Sequence, residues 1–219
     1  MCHQAGIIFQ KFNLSDKIKI EGFKKAIQKI SDKSDGVVVQ VPLPKHLKTH
    51  TQEILNCIPP EKDPDVLTEV NLGKFCGGNF ELMPPTVMAV KLIFEEYGIK
   101  LIGKDVALYG AGKLVGVPMA IWLLKENASI TTIHKYTKKK KTDAEIIISG
   151  VGKPGLVKGN MVRSGIIAID LGFSIVNNKI TGDIDKSVKA KMIAPVPGGI
   201  GKLMIACLLL NLTKLCSQA

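Results

Sequence analysis

Apolar residues in this chain follow two different periods on either side of Gly103. Before it, helical spacing dominates. Ile20, Phe23, Ile27 and Ile30 fall on one side of a helix over Lys19–Ile30, Lys48–Asn56 is helix-like, and Val87–Tyr97 carries Val90, Ile93 and Phe94 on one face before Gly98 ends it. Two short runs read as strands. One is Gly6–Phe12; the other is Gly36–Val41, whose GVVVQV is continuous in β-branched residues as a strand buried on both faces would be. Pro42 and Pro44 stop the second strand, leaving Gln40 as a polar amide at its carboxyl end. Asn71–Phe75 reads as the start of a loop reaching Met83-Pro84-Pro85-Thr86.

After Gly103 the pattern changes to apolar runs of strand length: Val106–Tyr109, Ser129–Ile133, Glu145–Ser149, Ile166–Asp170 and Met192–Val196. Helix-like or loop segments separate them, and the crossover between His134 and Glu145 leaves room for a short helix or none. Strand alternating with helix is the pattern of a parallel, doubly wound sheet, so this part is expected to be a three-layer, Rossmann-like α/β domain. The first strand runs into GAGKLVG, where Gly110, Gly112 and Gly116 permit a tight turn and close backbone approach, and a helix is expected to open at Pro118. The spacing is GxGxxxG, one residue longer than the common dinucleotide fingerprint, and by itself it leaves a plain turn and a phosphate loop both open.

Ligands of such sheets sit beyond the carboxyl ends of the strands. The candidates there are His134, Lys135 and Thr137, then Gly150 and Gly152, then Gly172 and Phe173, then Pro197, Gly198 and Gly199. The apolar segment Lys202–Leu215 reads as a core helix that returns to pack on the first part of the chain. A rigid loop at Pro59–Asp65 carries Asp63 and Asp65; loop aspartates are commonly caps and turn formers.

Composition narrows the classes. No apolar run is long enough for a membrane span and Met1–Gln10 lacks a signal-peptide layout, so the expectation is a soluble cytoplasmic protein without membrane contact. The five cysteines are scattered and never in CxxC spacing, as expected of thiols in a reducing compartment and not of a metal site. A net charge of +11 and the run Lys138–Lys141 raise nucleic acid, yet aromatics are 5% and no stacking pattern accompanies the lysines. A lysine-rich solvated surface suited to an anionic small molecule is the preferred reading, with no nucleic-acid partner expected.

The motifs VVVQVPLP (Val37–Pro44), EKDPD (Glu61–Asp65), NLGKF (Asn71–Phe75), GAGKLVGVP (Gly110–Pro118), IHKYT (Ile133–Thr137), GVGKPGLVKGNMV (Gly150–Val162), AIDLGF (Ala168–Phe173), GD (Gly182–Asp183) and PVPGGIGK (Pro195–Lys202) run through nearly the whole chain. In this order they resemble the methylenetetrahydrofolate dehydrogenase/cyclohydrolases. The resemblance implies a folate-binding catalytic domain over residues 1–87 with the helix of 202–219, an NAD(P)-binding domain over 88–201, a cleft between them, and a homodimer. It implies hydride transfer from 5,10-methylenetetrahydrofolate to NADP or NAD, then hydrolysis of the methenyl product to 10-formyltetrahydrofolate.

Carried over by position, Gln40 and Asp65 serve the pterin, with Val39 and Val41 beside them and Asp65 forming a carboxylate–aminopyrimidine pair. Pro197, Gly198, Gly199, Ile200 and Gly201 form the wall where folate meets nicotinamide. Gly110, Ala111, Gly112, His134, Lys135, Thr137, Gly150, Gly152 and Phe173 hold the dinucleotide, and no metal is implied. The family's general acid/base is a lysine in a YxxxK motif on a helix just ahead of the stretch that here begins at Met1, and no residue of this sequence takes that role. Tyr136 and Lys140 share the spacing but follow the second strand of the nucleotide domain.

Where the family often has an arginine in the glycine turn this chain has Ala111; Val66 and Leu67 replace a glycine and an aromatic, and Lys202 replaces a proline. His134-Lys135 closes the second strand with no acidic residue to grip an unphosphorylated ribose, which favours NADP over NAD. A catalytically silent nucleotide- or folate-binding homologue is the alternative reading, motivated by Ala111, Lys202 and the unassigned lysine.

Overall fold

The computed structural model describes residues 2–217 and separates into two compact units, Met1–Pro85 with Ala206–Ala219, and Thr86–Ile205. Its helices are α1 (Ile20–Ser31), α2 (Thr51–Leu55), α3 (Glu69–Cys76), α4 (Pro85–Glu96), α5 (Gly116–Lys125) and α6 (Gly201–Ser217). The strands are β1 (Asp105–Tyr109), β2 (Ser129–Ile133), β3 (Ile146–Ser149), β4 (Ile166–Asp170), β5 (Ser174–Val176), β6 (Lys179–Thr181) and β7 (Ala190–Ala194).

The first unit is built on helices and extended chain. Phe23 and Ile27 of α1 pack with Val37, Val39, Leu43, Leu47, Ile54, Leu55 and Ile58. The end of α6 lies on the same unit. Asn211 Nδ2 donates to the carbonyls of Pro64 and Met83 at 2.8 Å each, Lys214 Nζ donates to the Glu81 carbonyl at 2.9 Å, and Leu212 fills the space a Cβ on Gly36 would need.

Four expectations fail in this unit. Gly6–Phe12 and Gly36–Val41 form no strand, because a strand exists only through a ladder and no described residue of the unit supplies one. The second segment is extended but tied mainly by Val37 N–H to the Lys62 carbonyl at 2.8 Å; Val37 and Val39 are buried while Val38 and Gln40 are exposed, so it covers the core with one face only. Asn71–Phe75 is helical. Thr68 caps α3, its hydroxyl accepting from Asn71 N–H, and Asp63 holds Thr68 in place. The predicted helix over Lys48–Asn56 also splits, into a 3-10 turn at Lys45–His50 and the short α2.

The second unit is a five-stranded parallel sheet in the order β2-β1-β3-β4-β7. Alternation of side chains gives it two faces. Ala107, Tyr109, Ile133, Ile147, Ile166 and Ala168 pack beneath Val157, Val162 and Val188, a layer of irregular chain with a 3-10 turn at Gly159–Met161. On the helical side, α5 buries Met119, Trp122 and Leu123, and the Trp122 ring lies 6.1 Å from that of Phe94 on α4. No helix joins β2 to β3, in keeping with the short crossover. The antiparallel pair β5-β6 was not legible as strands; its signal is Asn177-Asn178, both in the left-handed region at φ 50° and 60°, which is the chemistry of a tight hairpin turn. β7 ends at Ala194, two residues earlier than the pattern predicted, because Pro195 has no N–H to donate.

Candidate active site

The register puts Ile133, Tyr109, Ser149 and Asp170 side by side at the carboxyl edge of β2, β1, β3 and β4. The order of strands reverses direction between β1 and β3, so the crevice of such a sheet opens beyond Tyr109 and Ser149. The segments that follow these two strands are the glycine turn and Gly150–Gly152.

The glycines there have different duties. Gly110 turns the chain at φ 104°, and an added Cβ would lie 3.2 Å from the Gly150 carbonyl oxygen. A Cβ on Gly116 would come within 2.4 Å of the Gly110 carbonyl oxygen, and one on Gly150 within 2.5 Å of Val115. Gly112 is exposed with nothing within 4 Å of its missing Cβ, so the turn keeps one open backbone face. Ala111 and Lys113 beside it are exposed as well. Helix α5 opens at Gly116, two residues before the position expected from Pro118, which still sits in the first turn where its missing N–H costs no hydrogen bond.

At the end of β2 the chain folds back on itself. His134 N–H donates to Thr137 Oγ1 at 3.0 Å, Tyr136 N–H donates to His134 Nδ1 at 3.2 Å, and Lys135 Nζ sits 4.7 Å from the Tyr136 ring centre. His134, Lys135 and Tyr136 are exposed, and the short turn carries no carboxylate. Tyr109 anchors the following lysine run, its hydroxyl donating to the Lys140 carbonyl at 2.8 Å; burial pushes its pKa up to about 12. Phe173, next to β4, is exposed, and Ser174 Oγ ties that segment to the Gly152 carbonyl at 2.7 Å.

In the first unit, the two aspartates of the 59–65 loop part company. Asp63 is fully buried and accepts from the N–H groups of Leu67 and Thr68, from Thr68 Oγ1 and from Asn71 Nδ2. It is a structural group of the kind loop aspartates usually are. Asp65 makes no hydrogen bond among the described residues, and burial together with the nearby charge of Asp63 raises its pKa from 3.8 to about 6. A carboxylate half-buried and without an internal partner is the candidate of the two for a ligand contact. Its neighbour Val66, buried, holds φ 57°, a conformation that costs a β-branched residue energy.

Gln40 is exposed, its Nε2 donating to the Val41 carbonyl at 3.1 Å, with Val39 buried and Val41 half-buried beside it. In the second unit Pro197 and Gly198 are exposed, Gly198 at φ 96° has open space about it, Ile200 is buried, and Gly201 begins α6. Gly199 is packed instead, since a Cβ there would stand 2.3 Å from the Pro195 carbonyl oxygen.

Two buried carboxylates escaped the sequence reading. Asp170 accepts from the N–H groups of Gly172, Asp183 and Ile184, and Asp183 from Ser149 Oγ and three backbone N–H groups. The signal was present as a glycine near each aspartate: a Cβ on Gly172 would collide with Asp183 at 2.1 Å, and one on Gly182 with Asp170 at 2.1 Å. Among the described residues no group of His, Cys, Asp and Glu is placed to hold a metal ion, and no helix is long and apolar enough to cross a membrane.

Two family models match the chain: the catalytic domain of tetrahydrofolate dehydrogenase/cyclohydrolase over residues 1–65 and the NAD(P)-binding domain of the same proteins over residues 84–219. The bifunctional protein FolD of Hydrogenobaculum is 43% identical over 192 residues, covering 84% of this chain and 68% of that protein. The Sulfurovum FolD is 40% identical over 226 residues, covering 99% of this chain and 80% of that protein. Among solved structures, the Campylobacter jejuni FolD methylenetetrahydrofolate dehydrogenase/cyclohydrolase superposes with a TM-score of 0.88 at 33% identity, covering 100% of this chain and 80% of the other. The Trypanosoma brucei enzyme, solved with NADP cofactor and an inhibitor, superposes with a TM-score of 0.89 at 29% identity, covering 99% and 79%.

Proposed function

Because this chain belongs to the tetrahydrofolate dehydrogenase/cyclohydrolase family, we propose that it oxidises 5,10-methylenetetrahydrofolate with NADP and hydrolyses the methenyl product to 10-formyltetrahydrofolate. The observation that carries the reading is Asp65, a carboxylate without internal partner at the position where the family pairs with the pterin. Its two oxygens accept from adjacent N–H groups of an aminopyrimidine, a bidentate contact that fixes the ring's orientation. Gln40 offers a side-chain amide to the same ring, with Val39 and Val41 presenting backbone.

The dinucleotide fits the second unit. Gly110 turns the chain, and the exposed Ala111 and Gly112 after it leave backbone bare at the crevice for a pyrophosphate, with α5 starting behind them. His134, Lys135 and Thr137 take the adenosine ribose, where the absence of a carboxylate and the presence of Lys135 suit a 2′-phosphate and favour NADP over NAD. Gly150, Gly152 and Phe173 line the nicotinamide side. When bound, the dinucleotide accepts a hydride from the methylene carbon. Loss of hydride leaves a methenyl cation, so the oxidation asks no side chain for a proton; what the protein contributes is alignment. The wall Pro197–Gly201 is assigned to that alignment. Hydrolysis adds water to the methenyl carbon and releases a proton, and we assign its acid/base role to none of the described residues.

We further infer a homodimer in the cytoplasm. The exposed Ile175, Val176 and Ile180 on the β5-β6 hairpin offer a second copy an apolar surface, and none of the five cysteines is in a disulfide. Light scattering on the purified chain tests the first of these.

Incubation of the folded protein with methylenetetrahydrofolate and NADP or NAD should produce the near-ultraviolet absorbance of reduced cofactor, with NADP preferred. A folded sample that turns over neither overturns the proposal.

A further inference from the structure

Asp183 sits at the centre of the second unit with no exposed surface. Its carboxylate accepts from the N–H groups of three consecutive residues, Val151 at 2.7 Å, Gly152 at 3.3 Å and Lys153 at 2.7 Å, and from Ser149 Oγ at 2.8 Å. Successive N–H groups turned around one anion, with a left-handed glycine among them (Gly152, φ 72°), make a nest, the backbone device that cradles phosphates at other strand ends. Here the nest follows β3, at the switch point of the sheet, and its anion belongs to the protein.

The backbone of Asp183 is held as well. Asp183 N–H donates to Asp170 Oδ1 at 3.1 Å, and Asp170 also accepts from Gly172 at 2.9 Å and Ile184 at 2.9 Å. The segments after β3, after β4 and around Gly182 are thereby tied into one block. Ser174 Oγ on the Gly152 carbonyl extends the block to the residue after Phe173.

We propose that Asp183 is a positioning residue for the dinucleotide. By filling the nest after β3 it withholds that turn from the cofactor's phosphates, leaves the Gly110–Gly116 turn as the phosphate site, and holds Gly150, Gly152 and Phe173 as a fixed wall. The proposal rests on the dinucleotide reading given above. Both carboxylate oxygens face N–H donors, so an asparagine must turn its own N–H₂ onto one of them. An alanine empties the nest and leaves room for a small free anion.

The test uses the full chain without folate, reading NADP affinity by calorimetry and backbone hydrogen exchange residue by residue. In Asp183→Asn, exchange at Val151, Gly152 and Lys153 should rise about tenfold or more while Ala107 and Leu108 in β1 stay protected, and NADP should bind roughly 10- to 100-fold more weakly. In Asp183→Ala, formate should restore both the protection and the affinity, which a merely structural defect would not allow. Wild-type exchange at 151–153 with wild-type NADP affinity in a folded Asp183→Asn overturns the proposal, as does a folded Asp183→Ala that formate leaves unchanged. Should neither variant fold, Ser149→Ala decides: it strips one donor from the carboxylate, and unchanged exchange at 151–153 refutes the nest. A wild-type protein that binds neither NADP nor NAD counts against the proposed function, and the exchange readout still judges the nest.

Discussion

A Cβ on Gly116 would stand 2.4 Å from the carbonyl oxygen of Gly110, so the first and last glycines of the turn are in backbone contact. Gly112 between them is open. The motif therefore divides into glycines that packing requires and one, Gly112, that packing leaves free.

Gly116→Ala should lower stability by about 1–3 kcal/mol through overpacking against the turn. Gly112→Ala should leave stability within about 0.5 kcal/mol, as is usual for an exposed change, and weaken NADP binding by blocking backbone approach. Denaturant titration and calorimetry on the two variants separate the effects; equal stability losses would contradict the division.

Asp63 and Asp65 should be separable in the same way. Asp63→Ala leaves two N–H groups and the Thr68 and Asn71 side chains short of their acceptor in a buried place, and should cost on the order of 3 kcal/mol. Asp65→Ala should fold normally and raise KM for the folate about tenfold or more, with little change in KM for NADP. Melting curves and initial-rate kinetics check both.

The raised pKa of Asp65 sets a direction for pH. Its folded value of about 6 lies above the ordinary 3.8, so the protonated form is the one the fold favours. That contribution is complete below about pH 4 and lost as pH rises through about 6. Asp65→Asn abolishes the titration, so its stability relative to wild type should improve between pH 4 and 7 by up to about 3 kcal/mol. Folate binding needs the ionised form and should weaken about tenfold per pH unit below about 6, in wild type only. A pH series of unfolding midpoints and of KM tests both slopes.

If Lys135 meets the additional phosphate as proposed, Lys135→Ala should lower kcat/KM with NADP by about tenfold and leave the value with NAD nearly unchanged. Added salt should shrink the NADP advantage of wild type. An equal loss with both cofactors would show that Lys135 meets a group the two share.

What the sequence determined by itself is the part of the structure that local periodicity controls. The continuous apolar runs at β1, β3 and β4 are buried on both faces because inner parallel strands are covered on both, and the glycine spacing after β1 marks a turn whatever lies around it. The helical spacing of α1 and α4 likewise shows in any environment. Tertiary structure decided everything that depends on a partner distant in the chain. Gly36–Val41 has a strand's composition and no ladder, because pairing is supplied by other residues. α3 is a helix although Asn71 and Gly73 read as loop, because Thr68 is held as its cap by Asp63. The same holds for the charged groups: Asp63, Asp65, Asp170 and Asp183 are alike as letters, and only the donors the fold gathers around three of them, leaving Asp65 with none among the described residues, tell them apart.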